Sequence, residues 1–197
     1  PPCRCWRVTV TGLDPKDPLV LDVRTLQRRP GSMSTLARTA PAPAGLGVAM
    51  ARVPEGSPIE LDLRLESVLE GVLVTGTADL EIAAECARCL DPVGWHEEVE
   101  LTELFRYPAT DARGAIVEEE DESEDPLPEL KDDLIDLQPV LRDAVVLDLP
   151  LAPLCSEDCL GLCPDCGVRL AEDPSHAHDT SDPRWAALTA LLDEDEK

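Results

Sequence analysis

Six cysteines and two histidines from Cys86 onward constrain this chain more than any hydrophobic pattern in it. They occur as Cys86-Ala-Arg-Cys89, Cys155-Ser-Glu-Asp-Cys159, Cys163-Pro-Asp-Cys166-Gly167 and His176-Ala-His178. A CxxC turn projects two thiolates from one tight bend and turns its own backbone N–H groups toward the sulfurs. Pro164 stiffens one such knuckle, and Gly167 lets the chain leave it with positive φ. Zinc takes about four such ligands in a closed structural site. With Cys3, Cys5 and His96 set aside, the eight remaining candidates make two sets of four. Cys163, Cys166, His176 and His178 can meet within one short loop. Cys86, Cys89, Cys155 and Cys159 would then staple a strand end to a distant segment. Two other pairings stay open. Cys86 and Cys89 could join Cys163 and Cys166 as a two-knuckle ribbon, or Cys155, Cys159, Cys163 and Cys166 could form one local site.

Eight cysteines would also suit a secreted disulfide framework. The CxxC spacings favour metal in a reducing compartment instead. Residues 1–11 do not read as a signal peptide, having no long apolar stretch, and no run reaches the roughly 20 apolar residues of a membrane span. The sequence opens on Pro1 rather than Met, so Cys3 and Cys5 carry little weight as ligands. A thioredoxin-like redox pair is disfavoured, because no βαβ pattern surrounds either CxxC.

Hydrophobic residues make up 43% of the chain but aromatic ones only 3%, so the core is built from Leu, Val, Ala and Ile. Ile59, Leu61, Leu63 and Leu65 alternate with polar neighbours and predict a strand with one buried face. Residues 71–84 continue as a strand after a turn at Glu70-Gly71, with Val72, Val74, Leu80 and Ile82 inward. Residues 93–105 give a third strand in imperfect alternation. Residues 19–29 read as a short strand and a helical turn stopped by Pro30-Gly31, and residues 32–48 as a loop or irregular edge. Residues 134–149 predict a helix, with Asp136 at its start, Pro139 in its first turn, and Val140, Leu141, Ala144, Val145 and Leu147 on its apolar side. A second amphipathic helix is expected from Asp182 to Leu192.

The expected fold is therefore α+β: an antiparallel β-meander packed with one or two helices, and a zinc-bearing C-terminal segment. Residues 1–18 read as a poorly ordered N-terminal extension and 19–110 as a β-rich domain. Residues 111–133 read as an acidic linker or loop holding the run Glu118–Asp125. Residues 134–197 then supply the helix, the zinc knuckles and a C-terminal helix packing on the β domain.

The order of these features resembles the YceD family of large ribosomal RNA subunit accumulation proteins. The resemblance is carried by LDVRTLQRRPGS at Leu21–Ser32, LDLRLESVLEGVLVTGT at Leu61–Thr77 and CARCL at Cys86–Leu90. It continues through IDLQPVLRDAVVLDLPLAPLC at Ile135–Cys155, CLGLCPDCG at Cys159–Gly167 and DPRW at Asp182–Trp185. The Arg-Arg-Pro-Gly-Ser stretch is most similar to actinobacterial members. Members with the CPxCG knuckle often close the region with CxC, where this chain has His176-Ala-His178. The resemblance implies a cytoplasmic protein needed for accumulation of large-subunit ribosomal RNA, with a gene commonly beside that of the basic ribosomal protein L32. It carries no catalytic residue over.

Three functions can be weighed. The first is a non-enzymatic assembly factor contacting the large-subunit precursor, its RNA, or ribosomal protein L32, with no membrane and no small-molecule substrate. A net charge of −24 serves solubility first and also suits a basic partner, while Arg24, Arg28, Arg29 and Arg38 either touch RNA phosphates or are solvated arginines balancing acidic neighbours. The second is a metal-dependent RNA-processing enzyme. It would need an open coordination position, and no HExxH, P-loop or GxGxxG is present. The third is a zinc/thiol redox sensor, which the clustered cysteines permit.

Overall fold

The computed structural model describes residues 12–109, 127–173 and 175–178. Among them are seven strands and one helix: β1 (Val20–Asp22), β2 (Met33–Pro41), β3 (Ala51–Arg52), β4 (Pro58–Ser67), β5 (Gly71–Glu85), β6 (Pro92–Arg106), β7 (Leu134–Asp136) and α1 (Gln138–Asp148). All the strand pairs are antiparallel. The main sheet runs β2-β4-β5-β6, with β3 beside the far end of β5, and β1 pairs separately with β7.

Period-two alternation explains the sheet's single buried face. On β4, Ile59, Leu61, Leu63 and Leu65 are buried, while Glu60, Asp62 and Arg64 between them are exposed. Val72, Val74, Leu80 and Ile82 of β5 and Val99, Leu101 and Phe105 of β6 extend the same apolar surface. Leu21 of β1, Ile135 of β7, and Leu141 and Val145 of α1 close over it in one cluster. Each such aliphatic side chain stabilises the fold by roughly 1.5–3 kcal/mol when fully buried.

Four local expectations change. Residues 32–48 are not a loop throughout, because β2 pairs in full register with β4. Its inward positions include only Leu36 and Ala40 as apolar residues, too few for a visible alternation. Residues 134–136 are strand rather than helix, and α1 begins at Gln138, whose N–H donates to Asp136 Oδ1 at 3.0 Å. Leu147 is 85% exposed, off the buried stripe of Leu141 and Val145. The hairpin turn sits at Leu69-Glu70, since the Val68 N–H donates to the Gly71 carbonyl. Gly71 is needed for a different reason: a Cβ there would collide with the Phe105 carbonyl oxygen.

Residues 127–133 run beside the end of β6. The Arg106 N–H donates to the Pro128 carbonyl, the Leu130 N–H donates to the Arg106 carbonyl, and Leu130 is buried. The predicted helix at 182–192, the acidic run 118–125 and residues 1–11 lie outside the described residues. No described helix is long and apolar enough to cross a membrane.

Candidate metal centres

The turn after β5 delivers the first pair of thiols. Cys86 N–H donates to the Asp91 carbonyl and Leu90 N–H to the Cys86 carbonyl, closing a tight loop that holds Leu90 at φ 61°. The segment after α1 is tied to that loop by backbone bonds. Ala87 N–H donates to the Pro153 carbonyl and Leu162 N–H to the Arg88 carbonyl. The Arg88 guanidinium donates to the carbonyls of Glu157 and Cys159 at 3.1 and 2.9 Å. Gly161, at φ 78°, lets the chain pass close over Arg88, whose carbonyl a Cβ would meet at 3.0 Å.

These contacts gather Cys86, Cys89, Cys155 and Cys159 so that all four sulfurs lie within 4.8 Å of one another. Cys86 Sγ is 3.8 Å from Cys159 Sγ, and Cys89 Sγ is 3.6 Å from Cys155 Sγ. A disulfide needs about 2.05 Å, so these are free thiols. A tetrahedron of sulfurs around zinc has edges of about 3.8 Å, given Zn–S of about 2.3 Å. The set therefore fits a tetrahedral ion.

The second set is local. Cys163 N–H donates to the Val168 carbonyl and Gly167 N–H to the Cys163 carbonyl, with Gly167 at φ 74°. Cys166 Sγ lies 3.1 Å from His176 Nε2 and 3.2 Å from His178 Nε2, and the two imidazole nitrogens are 2.8 Å apart. With Cys163 they also fall within 4.8 Å of one another. The nitrogen–nitrogen edge is shorter than the roughly 3.3 Å of a zinc tetrahedron, so an ion would spread the imidazoles slightly. The other ring nitrogen of His176 faces the Asp173 carboxylate at 3.9 Å, the side from which a carboxylate orients a ligating histidine.

Local electrostatics prepare the first set for a cation. The N–H groups of Cys89 and then Cys155 hold the Cys86 thiol down at about 6, from an ordinary 9.0. Burial pushes Cys159 up, and the Cys159 sulfur pushes Cys155 up. Four close sulfurs resist sharing negative charge; a divalent cation held by Cys86, Cys89, Cys155 and Cys159 would relieve that resistance and favour their thiolate forms.

Three residues that sequence reasoning passed over join the sets. Asp91 receives a two-pronged bond from Arg169, at 2.6 and 2.5 Å, linking the first thiol turn to the second knuckle. Arg88 bridges the halves of the first set. The placement of Arg88 inside CARC and of Asp91 just after it was the available signal.

The four arginines considered for RNA contact are dispersed in role. Arg24 pairs with Asp22 at 3.0 Å, and Arg28 pairs with Asp133 at 2.5 Å and lies over the Tyr107 ring. Arg29 is exposed. Arg38 turns to the core side and donates to the Val20 carbonyl at 3.0 Å.

Comparison with known proteins gives one family. The model described as large ribosomal RNA subunit accumulation protein YceD matches residues 74–192. An uncharacterized protein of Mycobacterium tuberculosis is 48% identical over 177 residues, covering 89% of this chain and 82% of the relative. One of Mycobacterium leprae is 43% identical over 175 residues, covering 89% and 78%. The uncharacterized protein YlbN of Bacillus subtilis is 30% identical over 146 residues, covering 72% and 78%. No solved structure matches.

Proposed function

Because the chain belongs to the YceD family, we propose that it supports accumulation of large-subunit ribosomal RNA as a non-enzymatic assembly factor stabilised by two structural zinc ions. The observation that carries this reading is the pair of four-ligand sets. Each set already has the full tetrahedral complement, with no protein-free position of the kind a catalytic zinc keeps for water or substrate. Thiolate and imidazole donors in tetrahedral array suit zinc over the hard, oxygen-seeking cations. The working location is the cytoplasm, and the target is the large-subunit precursor. The acidic surface suits a basic ribosomal protein such as L32 as the direct contact.

The test combines two measurements. Elemental analysis of the purified full chain is expected to give two zinc per chain, with Cys86→Ser and Cys163→Ser each losing one. In cells lacking the gene, large-subunit RNA and particles are expected to fall on a sucrose gradient and to recover with the wild-type gene. Unchanged large-subunit RNA would sink the ribosomal reading. Metal-dependent cleavage of that RNA by the purified protein would replace it with the enzymatic one.

A further inference from the structure

The sheet has two edges of opposite character. On β6 the residues whose backbone faces outward include Pro92, Glu98 and Glu100, and its last turn is covered by residues 128–130. Charge, proline and cover are the usual protections of a strand edge. Among the described residues the β2 edge has no cover, no proline before Pro41 and one charge, Arg38, which turns inward. Although the chain holds 41 Asp and Glu residues, none falls on β2.

The hydrogen-bond phase says which β2 groups are free. Ser67 N–H donates to the Ser32 carbonyl and Ala42 N–H to the Ser57 carbonyl at the two ends of the pairing. Even-numbered β2 residues therefore bond to β4, and Met33, Thr35, Ala37 and Thr39 turn their N–H and C=O groups outward. No described strand lies on that side.

Beside this edge the outer sheet face forms a groove of about 680 Å³, floored by Ala37, Thr39 and Thr77 and edged by Glu60, Asp62 and Asp79. The register sets Glu60 opposite Asp79, and Asp79 opposite Glu98. Like charges directly across strands destabilise a sheet. The neighbouring Arg64 is already engaged with an acid outside the row, Glu66 at 2.9 Å, and His96 stands 3.8 Å from Asp79. Arg38, the only cation of β2, faces the core side.

We propose that the outer edge of β2 accepts an extended cationic segment of a protein partner by strand addition. The segment's backbone pairs with Met33 to Thr39. Its alternate lysines or arginines lie on the outer face, crossing the small side chains of Ala37 and Thr39 to reach Asp62 and Glu60. The distance to β4 is two strand spacings, about 9.6 Å, within the joint reach of a lysine and a glutamate. Backbone pairing supplies affinity and the acidic row selects the charge. A second copy of this chain is disfavoured as occupant, because each carries a net charge of −24. The segment need not come from a ribosomal protein.

The probe is a labelled peptide of the length of β2 alternating lysine with valine, titrated into the full zinc-loaded chain. Saturable binding is expected, weakened about tenfold or more by Ala37→Pro and by the double change Glu60→Gln with Asp62→Asn. Proline at 37 removes an outward N–H and no bond to β4, so the fold is expected to hold. A peptide methylated on alternate backbone nitrogens tests pairing with the protein unaltered, and is expected to bind as weakly. No saturable binding, or equal binding of the methylated peptide, would overturn strand addition. Binding that survives the loss of Glu60 and Asp62 charge would overturn the groove as its selector.

Discussion

Between Leu19 and Leu149 the chain buries a continuous aliphatic cluster. After Leu149 the described residues bury only Pro153, Gly161 and Cys163. Leu151 is fully exposed and Leu160 more than half so. The first region holds its shape by removing leucine, valine and isoleucine from water. The second has no such core, although ordering each residue's backbone costs about 1–2 kcal/mol. Its order comes from backbone bonds to the thiol turn, from the Arg88 and Arg169 contacts, and from sulfur and nitrogen donors gathered at two points. One chain thus contains two means of folding, joined at the thiol turn after β5.

Metal removal should separate them most sharply. Structural zinc contributes on the order of 10–16 kcal/mol in small zinc domains. Treating the chain with a strong chelator is expected to abolish hydrogen-exchange protection across residues 153–170 while β4 and β5 amides keep theirs. Equal loss in both regions would show that the sheet also depends on the metal, and the comparison would fail.

The converse change is smaller. Leu63 is 1% exposed in the sheet's core. Leu63→Ala should cost roughly 2–5 kcal/mol in denaturant unfolding, with two zinc still bound at low denaturant. Loss of zinc from the folded variant would mean that the two regions are one cooperative unit.

Acid should give the mildest separation. Histidine and thiolate ligands must be deprotonated to hold a metal, so protons compete with the ion as pH falls. In the sheet region, the Arg24 N–H, and then its side chain, hold Asp22 below the usual 3.8. A lowered carboxyl stabilises the fold above its ordinary value, and that contribution is lost as pH falls through the folded one. Zinc from the second set is therefore expected to leave at higher pH than the Asp22 contribution fades, read by a zinc dye and by circular dichroism. Asp22→Asn should flatten the fold's acid dependence slightly and leave the pH of zinc release unmoved.

The sheet was legible where side chains alternate strongly. Ile59 to Leu65 announce a buried face because each inward residue is large and each outward one polar, and Val72, Val74, Leu80 and Ile82 mark the same face on β5. β2 was not legible, since Ala, Ser and Thr fill most of its positions and its strand character comes from pairing with β4. Residues 134–136 misled because Leu134 and Ile135 fit a helical stripe as well as a strand. Only the distant β1 decides between them. Cysteine spacing exposed the donors, and the sequence allowed three groupings. Distances of 3.6 and 3.8 Å between sulfurs far apart in sequence separate those groupings. The position of Asp91 after CARC hinted at a role, but its pairing with Arg169 was not legible, because exposed charges are common in this chain and only proximity distinguishes a pair.

The first thiol set also dictates an order of events. Its two halves stand 66 and 73 residues apart. During synthesis, Cys86 and Cys89 must wait as a two-sulfur turn until β6, β7 and α1 have been made and Cys159 has left the ribosomal tunnel. Closing so long a loop is slow to reward, since its entropy must be spent before the last ligand arrives. The second set, with Cys166 and His178 12 positions apart, closes as soon as its own short stretch is free. A metal captured at the first set would therefore follow completion of the sheet and helix and precede closure of the knuckle at Cys163 and Cys166.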